Sequence, residues 1–419
     1  MIYKMYSLAR IGLAMVLLFT LSRKAHSQEW NPDSLEVYLH TVEVGDLVFN
    51  NFGHTALRFY DPETGRDFMY NWGIFNFSDP LTFSFNFYKG ILRYQLGIYK
   101  TSYAKSRYAK EGRTVWQDKL RLTTREKEVL LKRIYWNMMP ENRTYNYDYF
   151  FDNCATRIRD YLDEALFGYL KLSTEDKLSG SNYRDMVRSH YLSVPGIEVG
   201  LEIIMNGRLE REMSLWNIMF LPKSLRDVLI ELKRPDGQPI MEPDRELFHF
   251  PVPKPYPVSG QVLWSLPVFV IIILGLISTV FFNKINMLFL KLIAVVGMLF
   301  FSFSGLVGII LPLNWLFSEH LDLQRNWNIL IFWPVHFYLC LIFWQFLFKN
   351  RDLLKARRRL KLYFSLYLSA FVIGLLGWFW GIIEQDISRI LCSFGLVSLG
   401  LMLLAIQAIG ILIEEQKCE

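Results

Sequence analysis

The nine residues YFFDNCATR, at positions 149–157, mark the point where an aromatic stretch gives way to an amphipathic helix. Asp152 or Asn153 can accept hydrogen bonds from the free N–H groups of a first helical turn, so either can cap a helix over 155–170. Apolar residues recur along it at helical spacing: Ile158, Leu162, Ala165 and Leu166. The pattern predicts a helix that packs on one face and carries Cys154 in its first turn.

Cys154 is the only cysteine among the first 339 residues, because Cys340, Cys392 and Cys418 lie in or beyond apolar segments near the C-terminus. A single thiol in an exported domain cannot form a disulfide within that domain. It is therefore a buried spectator, an intermolecular link or a nucleophile. A cysteine at a helix start is more often part of a packed core. Backbone N–H groups and the helix dipole would, however, stabilise a thiolate there and could hold a developing oxyanion.

A β-hairpin upstream supplies a candidate partner for this thiol. Residues 44–49 read as a turn into a strand, and 52–60 read as a second strand with alternating apolar positions. A turn at 61–65 then leads to a returning strand over 67–72. His54 stands at the mouth of this hairpin, with Tyr70, Asn71 and Trp72 near it on the returning strand. The register is left open by the sequence, so the residue that faces the imidazole is not determined.

The chain divides into an exported half and a membrane half. Residues 1–27 resemble a signal peptide or an N-terminal anchor, because two basic residues precede an apolar run over 11–21 and small residues end it at 25–27. Residues 28–250 are mixed in polarity and long enough for a full globular core, which we expect outside the cytoplasm. The alternating prolines within 251–260 predict a stiff linker.

Residues 261–413 predict a membrane domain with five spans. The apolar runs cover 263–282, 292–311, 329–348, 363–383 and 390–413, each near the ~20 residues needed to cross a bilayer. Seven basic residues and one acid, Asp352, fall within 349–361, and the positive-inside rule places this segment in the cytoplasm. Counting spans then puts 28–250 in the periplasm and the tail 414–419 in the cytoplasm of a bacterial inner membrane protein.

The net charge of +6 reflects this topology rather than nucleic-acid binding, since much of it lies in the basic loop. No phosphate-binding or dinucleotide motif is present in the sequence, and no His/Cys cluster has metal-ligand spacing. We therefore expect no cofactor and no metal.

Three motifs carry a family resemblance: 45–48 (GDLV), 53–58 (GHTALR) and 152–154 (DNC). Together they resemble a papain-like thiol enzyme of the NlpC type with a permuted order, His before Cys, as in lecithin:retinol acyltransferase-like proteins. The whole chain is similar to the lipoprotein N-acyltransferase family of Bacteroides type (Lnb), through 52–59, 71–75, 140–143, 147–159, 220–222 and 326–334. The resemblance implies an α+β permuted papain-like periplasmic domain followed by an all-α five-helix transmembrane domain.

The same resemblance implies acyl transfer from a phospholipid, through a Cys154 thioester, to the N-terminal amine of a diacylglyceryl-cysteine lipoprotein. His54 would act as base and then acid, and Asn71 would be the third polar residue. The residues expected to bind substrate or support the site are Asp152, Asn153, Tyr70 and His320. Both substrates are lipids, so a membrane-anchored enzyme would concentrate and orient them.

Other functions fit the same cysteine and histidine. NlpC-type domains are commonly peptidoglycan amidases or endopeptidases, but this activity does not need five membrane spans. A phospholipase would pass the acyl group to water. A binding module for a membrane complex would need no nucleophile at all.

Overall fold

The computed structural model describes residues 29–45, 50–75, 79–252, 254, 256–282, 285–347 and 352–418. The predicted signal or anchor segment 1–27 lies outside the described residues, as does most of the predicted strand 44–49.

The strands of the N-terminal half are β1 (Glu36–Val42), β2 (His54–Asp61), β3 (Arg66–Ile74), β4 (Arg93–Lys100), β5 (Val115–Leu120), β6 (Thr144–Asn146), β7 (Leu178–Asn182), β8 (Glu212–Ser214) and β9 (Met241–Phe248). Seven of them form an antiparallel sheet in the order β6-β4-β3-β2-β1-β5-β9, and β7 and β8 form a second, two-stranded sheet. The helices of this half are α1 (Pro80–Lys89), α2 (Thr101–Lys110), α3 (Thr124–Met138), α4 (Cys154–Ala165), α5 (Tyr169–Thr174), α6 (Tyr183–Tyr191), α7 (Pro195–Ile204), α8 (Leu215–Ile218) and α9 (Pro222–Glu231), with a 3-10 turn at Gly207–Glu210.

The hairpin of β2 and β3 confirms the sequence prediction and fixes its register. Leu57 pairs with Tyr70, and both side chains face the main hydrophobic core. The turn closes because the Asp61 carboxylate accepts hydrogen bonds from the backbone of Glu63 (3.0 Å) and the hydroxyl of Thr64 (2.7 Å). Since successive side chains of a strand face opposite sides, Asn71 points away from the side that Tyr70 faces.

Helix α4 begins at Cys154, as the sequence predicted, but it ends earlier than 170. Phe167 and Gly168 have φ angles of 54° and 83°, so the chain turns sharply before α5 begins. Ile158 and Leu162 belong to the same buried cluster as Leu57. The helix therefore rests on the central strand β2, with its first turn at the strand end that carries His54.

The C-terminal half is helical. Its elements are α10 (Gly260–Phe281), α11 (Met287–Phe317), a 3-10 turn (Trp327–Leu330), α12 (His336–Gln345), α13 (Leu353–Phe379), α14 (Ser388–Ile390), a π-helical stretch (Leu391–Gly395) and α15 (Leu396–Cys418). Within the described residues, four helices are long and apolar enough to cross a membrane, and they span Gly260–Phe281, Met287–Phe317, Leu353–Phe379 and Ser388–Glu415. Four of the five predicted spans therefore correspond to long helices.

The third predicted span, 329–348, is not one continuous helix, so the five-helix count is not confirmed. Among its described residues, 329–347, only α12 is α-helical, and its ten residues give a length of about 15 Å. Pro334 lacks a backbone N–H and interrupts the helix just before α12. The break packs against α11 so closely that a Cβ on Gly308 would lie 2.4 Å from the carbonyl carbon of Trp333. The sequence pattern alone could not distinguish this broken segment from a continuous span.

The two halves are joined by side-chain amides that cap the end of α7. Asn328 donates to the carbonyls of Glu202 (3.1 Å) and Ile203 (2.9 Å), and Asn326 donates to those of Ile203 (2.9 Å) and Met205 (3.2 Å). The last carbonyls of a helix have no partner inside the helix, so these amides satisfy them. Ile203 is buried within the hydrophobic cluster of the membrane domain. The C-terminal end of α7 is thus inserted into the helical bundle.

Further contacts show which end of the bundle faces the N-terminal domain. The backbone N–H of Gly260, at the start of α10, donates a hydrogen bond to the Glu198 carboxylate (2.7 Å). In the loop after α11, the backbone N–H of Glu319 donates to the Lys89 carbonyl (2.8 Å). The loop after α13 is tied by Asp386 N–H to Glu210 (3.0 Å). The basic residues at the start of α13 therefore lie at the opposite end of the bundle from the N-terminal domain, as the positive-inside prediction requires.

Candidate active site

Cys154 is the first residue of α4, and its side chain is buried. Asn153 caps the helix, since its Oδ1 accepts from the N–H groups of Ala155 (2.8 Å) and Thr156 (2.9 Å). The Asn153 Nδ2 donates to the carbonyls of Tyr149 (2.7 Å) and Phe220 (3.0 Å), which locks the cap in place. Because both polar atoms of the Asn153 side chain are hydrogen-bonded, the position of the adjacent Cys154 is fixed.

Asp152 does not cap the helix. Its carboxylate accepts two hydrogen bonds from the Arg157 guanidinium, at 2.6 and 2.7 Å. Arg157 also lies over the Tyr145 ring, 3.6 Å from its centroid. Of the two capping candidates in the sequence, Asn153 therefore caps α4, and Asp152 instead forms an ion pair with Arg157 on the same helix.

His54 opens β2 and is oriented by Asn71 on the neighbouring strand. The His54 Nε2 lies 2.8 Å from the Asn71 Oδ1, and the Asn71 Nδ2 donates to the Tyr108 hydroxyl at 3.4 Å. An amide oxygen can only accept, so Nε2 carries the proton. The other ring nitrogen, Nδ1, is then the unprotonated one and can act as a base.

His54, Asn71 and Cys154 line one cavity of about 160 Å³. One part of its wall is aromatic: Tyr94 stacks on Tyr147 (4.3 Å between ring centroids), and Phe52 contacts Tyr191 and Phe220. The structure therefore brings together the three residues that the sequence analysis named as nucleophile, base and third polar residue.

Burial controls the protonation of both reactive groups. It raises the pKa of the Cys154 thiol to about 11, although the backbone N–H groups of Thr55, Ala155 and Cys154 itself act in the opposite direction. Burial lowers the pKa of His54 to about 4; the Arg113 charge lowers it further, and the hydrogen bond to Asn71 raises it. At neutral pH the pair is a neutral thiol and a neutral imidazole. The helix N-terminus favours the thiolate as the sequence suggested, but desolvation is the larger effect.

A basic group closes another part of the cavity. Arg113 is buried and donates to the Glu43 carbonyl (2.9 Å), and it also contacts Glu111 (3.3 Å). Arg107 donates to the same Glu111 carboxylate at 2.8 Å. All three charged side chains line the cavity. Sequence reasoning missed them, because nothing in the Lys- and Arg-rich stretch 105–113 sets one arginine apart from the others before the fold is known.

Three predicted supporting residues do not line the cavity: Tyr70, His320 and Asp152, which pairs with Arg157. Tyr70 faces the core on the other side of β3, where its hydroxyl accepts a hydrogen bond from the Trp30 Nε1 at 2.8 Å. His320 lies in the loop after α11, where its N–H donates to the Ser318 hydroxyl (3.2 Å), and it is not among the residues that line the cavity. Strand alternation explains the position of Tyr70, and a shared side of the membrane does not by itself bring His320 close to Cys154.

Within the part of the chain that the structure describes, no group of three or more His, Cys, Asp or Glu side chains could hold a metal ion.

Two family models match the chain. The model described as the Lnb N-terminal periplasmic domain matches residues 22–189, and the model described as the Lnb transmembrane domain matches residues 261–416. No curated protein and no solved structure matches the chain. The permuted papain-like fold consequently stays a prediction, whereas a periplasmic N-terminal domain followed by a transmembrane domain is established.

Proposed function

From the premise that this chain belongs to the Lnb family of membrane-bound proteins that act in lipoprotein modification, we propose that it is a cysteine acyltransferase. It takes an acyl chain from a phospholipid and transfers it to the N-terminal amine of a diacylglyceryl-cysteine lipoprotein. The observation that carries the proposal is the shared cavity of Cys154 and His54, in which Asn71 leaves the His54 Nδ1 free to accept a proton. We place the domain in the periplasm of a bacterial inner membrane protein with a cytoplasmic C-terminus.

In the first step the Cys154 sulfur attacks the carbonyl carbon of the donor ester while His54 Nδ1 takes the thiol proton. The new bond is S–C(acyl), and the carbonyl oxygen becomes an oxyanion. The N–H groups of Ala155 and Thr156 are engaged by Asn153, so the N–H of Cys154 is the first-turn donor left for this oxyanion. The ester C–O bond then breaks, and His54 returns the proton to the departing lysophospholipid oxygen.

In the second step the lipoprotein amine attacks the thioester carbon. His54 accepts a proton from the amine, an amide N–C bond forms and the C–S bond breaks. Cys154 recovers its proton from His54, and the enzyme returns to its neutral resting pair.

The size of the cavity supports a donor that stays mostly in the bilayer. A cavity of about 160 Å³ is close to that of an engineered site of about 150 Å³ that holds one benzene. It can take the ester group and the first carbons of a chain, while the remainder extends outside. Part of the aromatic wall packs toward the membrane domain: Tyr191 and Phe220 share a buried cluster with Met205, and the Met205 carbonyl accepts from Gln385 of the membrane domain (3.2 Å).

The test is complementation of a strain that lacks the gene, with the wild type or the Cys154→Ala variant expressed at matched levels. Mass spectrometry of lipoprotein N-termini and of muropeptides is read from the same cultures. We expect the third acyl chain to depend on Cys154 and the muropeptides to be unchanged. Altered muropeptides would indicate an amidase, free fatty acid without N-acylation would indicate a phospholipase, and full complementation by Cys154→Ala would leave only a binding role.

A further inference from the structure

Arg113 has more hydrogen-bonding capacity than its surroundings use. It is 3% exposed, its contacts with Asn50 Oδ1 (3.4 Å) and Glu111 (3.3 Å) are long, and its Nη2 has no hydrogen-bond partner in the described part of the chain. A buried N–H donor on a charged group costs stability when it has no hydrogen-bond acceptor. Its position beside a cavity therefore indicates that a bound ligand supplies the acceptor.

The surroundings of Arg113 favour an anion. Among the described residues, the charged side chains that line this corner are two guanidinium groups, Arg107 and Arg113, and one carboxylate, Glu111, which bonds to both. The Glu43 carboxylate also interacts with the Arg113 charge but does not line the cavity. Arg107 stands at the rim, since its side chain is 58% exposed. The Tyr99 hydroxyl lines the same cavity and also lacks a hydrogen-bond partner among the described residues. A net positive corner with a forked donor and a free hydroxyl is suited to phosphate.

This corner is adjacent to the reactive pair. The Arg113 charge acts on His54 and on Cys154, lowering the pKa of each, and all three residues line one cavity. In a phospholipid, the phosphate and one acyl ester sit on neighbouring glycerol carbons. A phosphate held at Arg113 therefore brings an acyl ester to the vicinity of the Cys154 sulfur, with the chain directed toward the aromatic wall.

We propose that Arg113, with Arg107 at the rim, binds the phosphate of the phospholipid donor and thereby selects phosphate-bearing lipids for acylation of Cys154. This inference rests on the proposed function. It adds the part of the donor that is recognised and the residues that recognise it.

The test compares two donors on the full-length protein in detergent micelles: a phosphatidyl lipid and an uncharged 4-nitrophenyl ester of the same fatty acid. The measured quantity is the ratio of the two rates of Cys154 acylation, followed by intact mass in single-turnover reactions. Arg113→Lys keeps the charge but loses the fork, and we expect the ratio to fall by about tenfold, as for loss of a hydrogen bond to a charged group. Arg107→Gln, an exposed change with little risk to folding, should lower the ratio by about threefold.

The matched control is Arg125→Gln on α3, whose side chain is 74% exposed and is absent from the cavity lining, so that the ratio stays at the wild-type value. Equal losses with both donors would assign Arg113 a structural or oxyanion role and overturn the inference, as would unchanged ratios in both variants. If inorganic phosphate altered the rate with the uncharged ester while both variants kept the phosphatidyl preference, the corner would be a free-phosphate site and the lipid assignment would be wrong. A wild-type protein that acylates Cys154 with neither donor would instead refute the proposed function itself.

Discussion

The change Asn71→Asp places a carboxylate where an amide now orients the base. The His54 Nε2 lies 2.8 Å from the Asn71 Oδ1, and the pKa of His54 is held at about 4 by burial and by Arg113. The wild-type imidazole is therefore neutral above about pH 5, and the Cys154 thiol, with a pKa of about 11, stays protonated up to about pH 10. The proposed acylation step should then be independent of pH across the neutral range.

In the variant, the added charge stabilises the imidazolium. Two unit charges about 4 Å apart interact by about 4 kcal/mol at an effective dielectric constant near 20, and each factor of ten in protonation corresponds to about 1.4 kcal/mol. The pKa of His54 should rise from about 4 to near neutrality, so the base becomes protonated as pH falls below 7. We expect an acid limb in the acylation rate of Asn71→Asp between pH 6 and 7 that the wild type lacks.

The assay is single-turnover acylation of Cys154 from a phospholipid between pH 5 and 9, quenched and read by intact mass. Asn71→Ala is the matched control, because it removes the same hydrogen bond without adding charge. It should lower the acylation rate by about tenfold, as expected when one hydrogen bond to the charged imidazolium is lost, and it should not add an acid limb. A wild-type profile with a limb near pH 6.5, or identical profiles for the wild type and Asn71→Asp, would refute the assignment of His54 as a buried neutral base.

Three further predictions concern the fold around the site. Asn328→Ala leaves the Glu202 carbonyl without its amide donor, whereas the Ile203 carbonyl keeps the Asn326 amide. It should lower the free energy of unfolding by about 1–3 kcal/mol, the cost of one buried unsatisfied group, measured by thermal unfolding in detergent; an unchanged midpoint would contradict the capping role. Gly308→Ala should lower the free energy of unfolding by about 1–3 kcal/mol, because the added Cβ would clash with the backbone at the break in the third span. Gly200→Ala on α7, where a Cβ meets nothing within 4 Å, should not destabilise the protein. Equal effects of the two changes would argue against the close packing of Gly308 on the break. Tyr70→Phe removes the hydroxyl bonded to Trp30 and should cost about 1 kcal/mol of stability without changing the acylation rate, and a lost rate would return Tyr70 to the site.

The local features of the site could be predicted because each is written in a short stretch of sequence. Apolar alternation marks the β2–β3 hairpin, and a capping residue, Asp152 or Asn153, followed by a helical apolar stripe marks the start of α4. The identity of the third polar residue could not be settled in this way. Tyr70 and Asn71 are neighbours on one strand, and only the pairing of β3 with β2 determines that Asn71 faces His54.

Features that depend on contacts distant in sequence were missed. Arg113 reaches the cavity through its anchor on the Glu43 carbonyl, which is 70 residues away. The caps that Asn326 and Asn328 place on α7 join segments more than 120 residues apart. The broken third span was missed for a different reason: hydropathy counts apolar residues and is insensitive to a single proline.

The proposed mechanism depends most directly on an acyl group carried by Cys154. Purified full-length protein is incubated with phospholipid, and its intact mass is measured before and after treatment with hydroxylamine, with Cys154→Ala in parallel. We predict a mass increase of one acyl chain on the wild type, its removal by hydroxylamine, and no increase on the variant. An acyl adduct on Cys154→Ala would contradict the thioester mechanism. So would a wild-type protein that gains no acyl adduct from phospholipid in the absence of the lipoprotein amine.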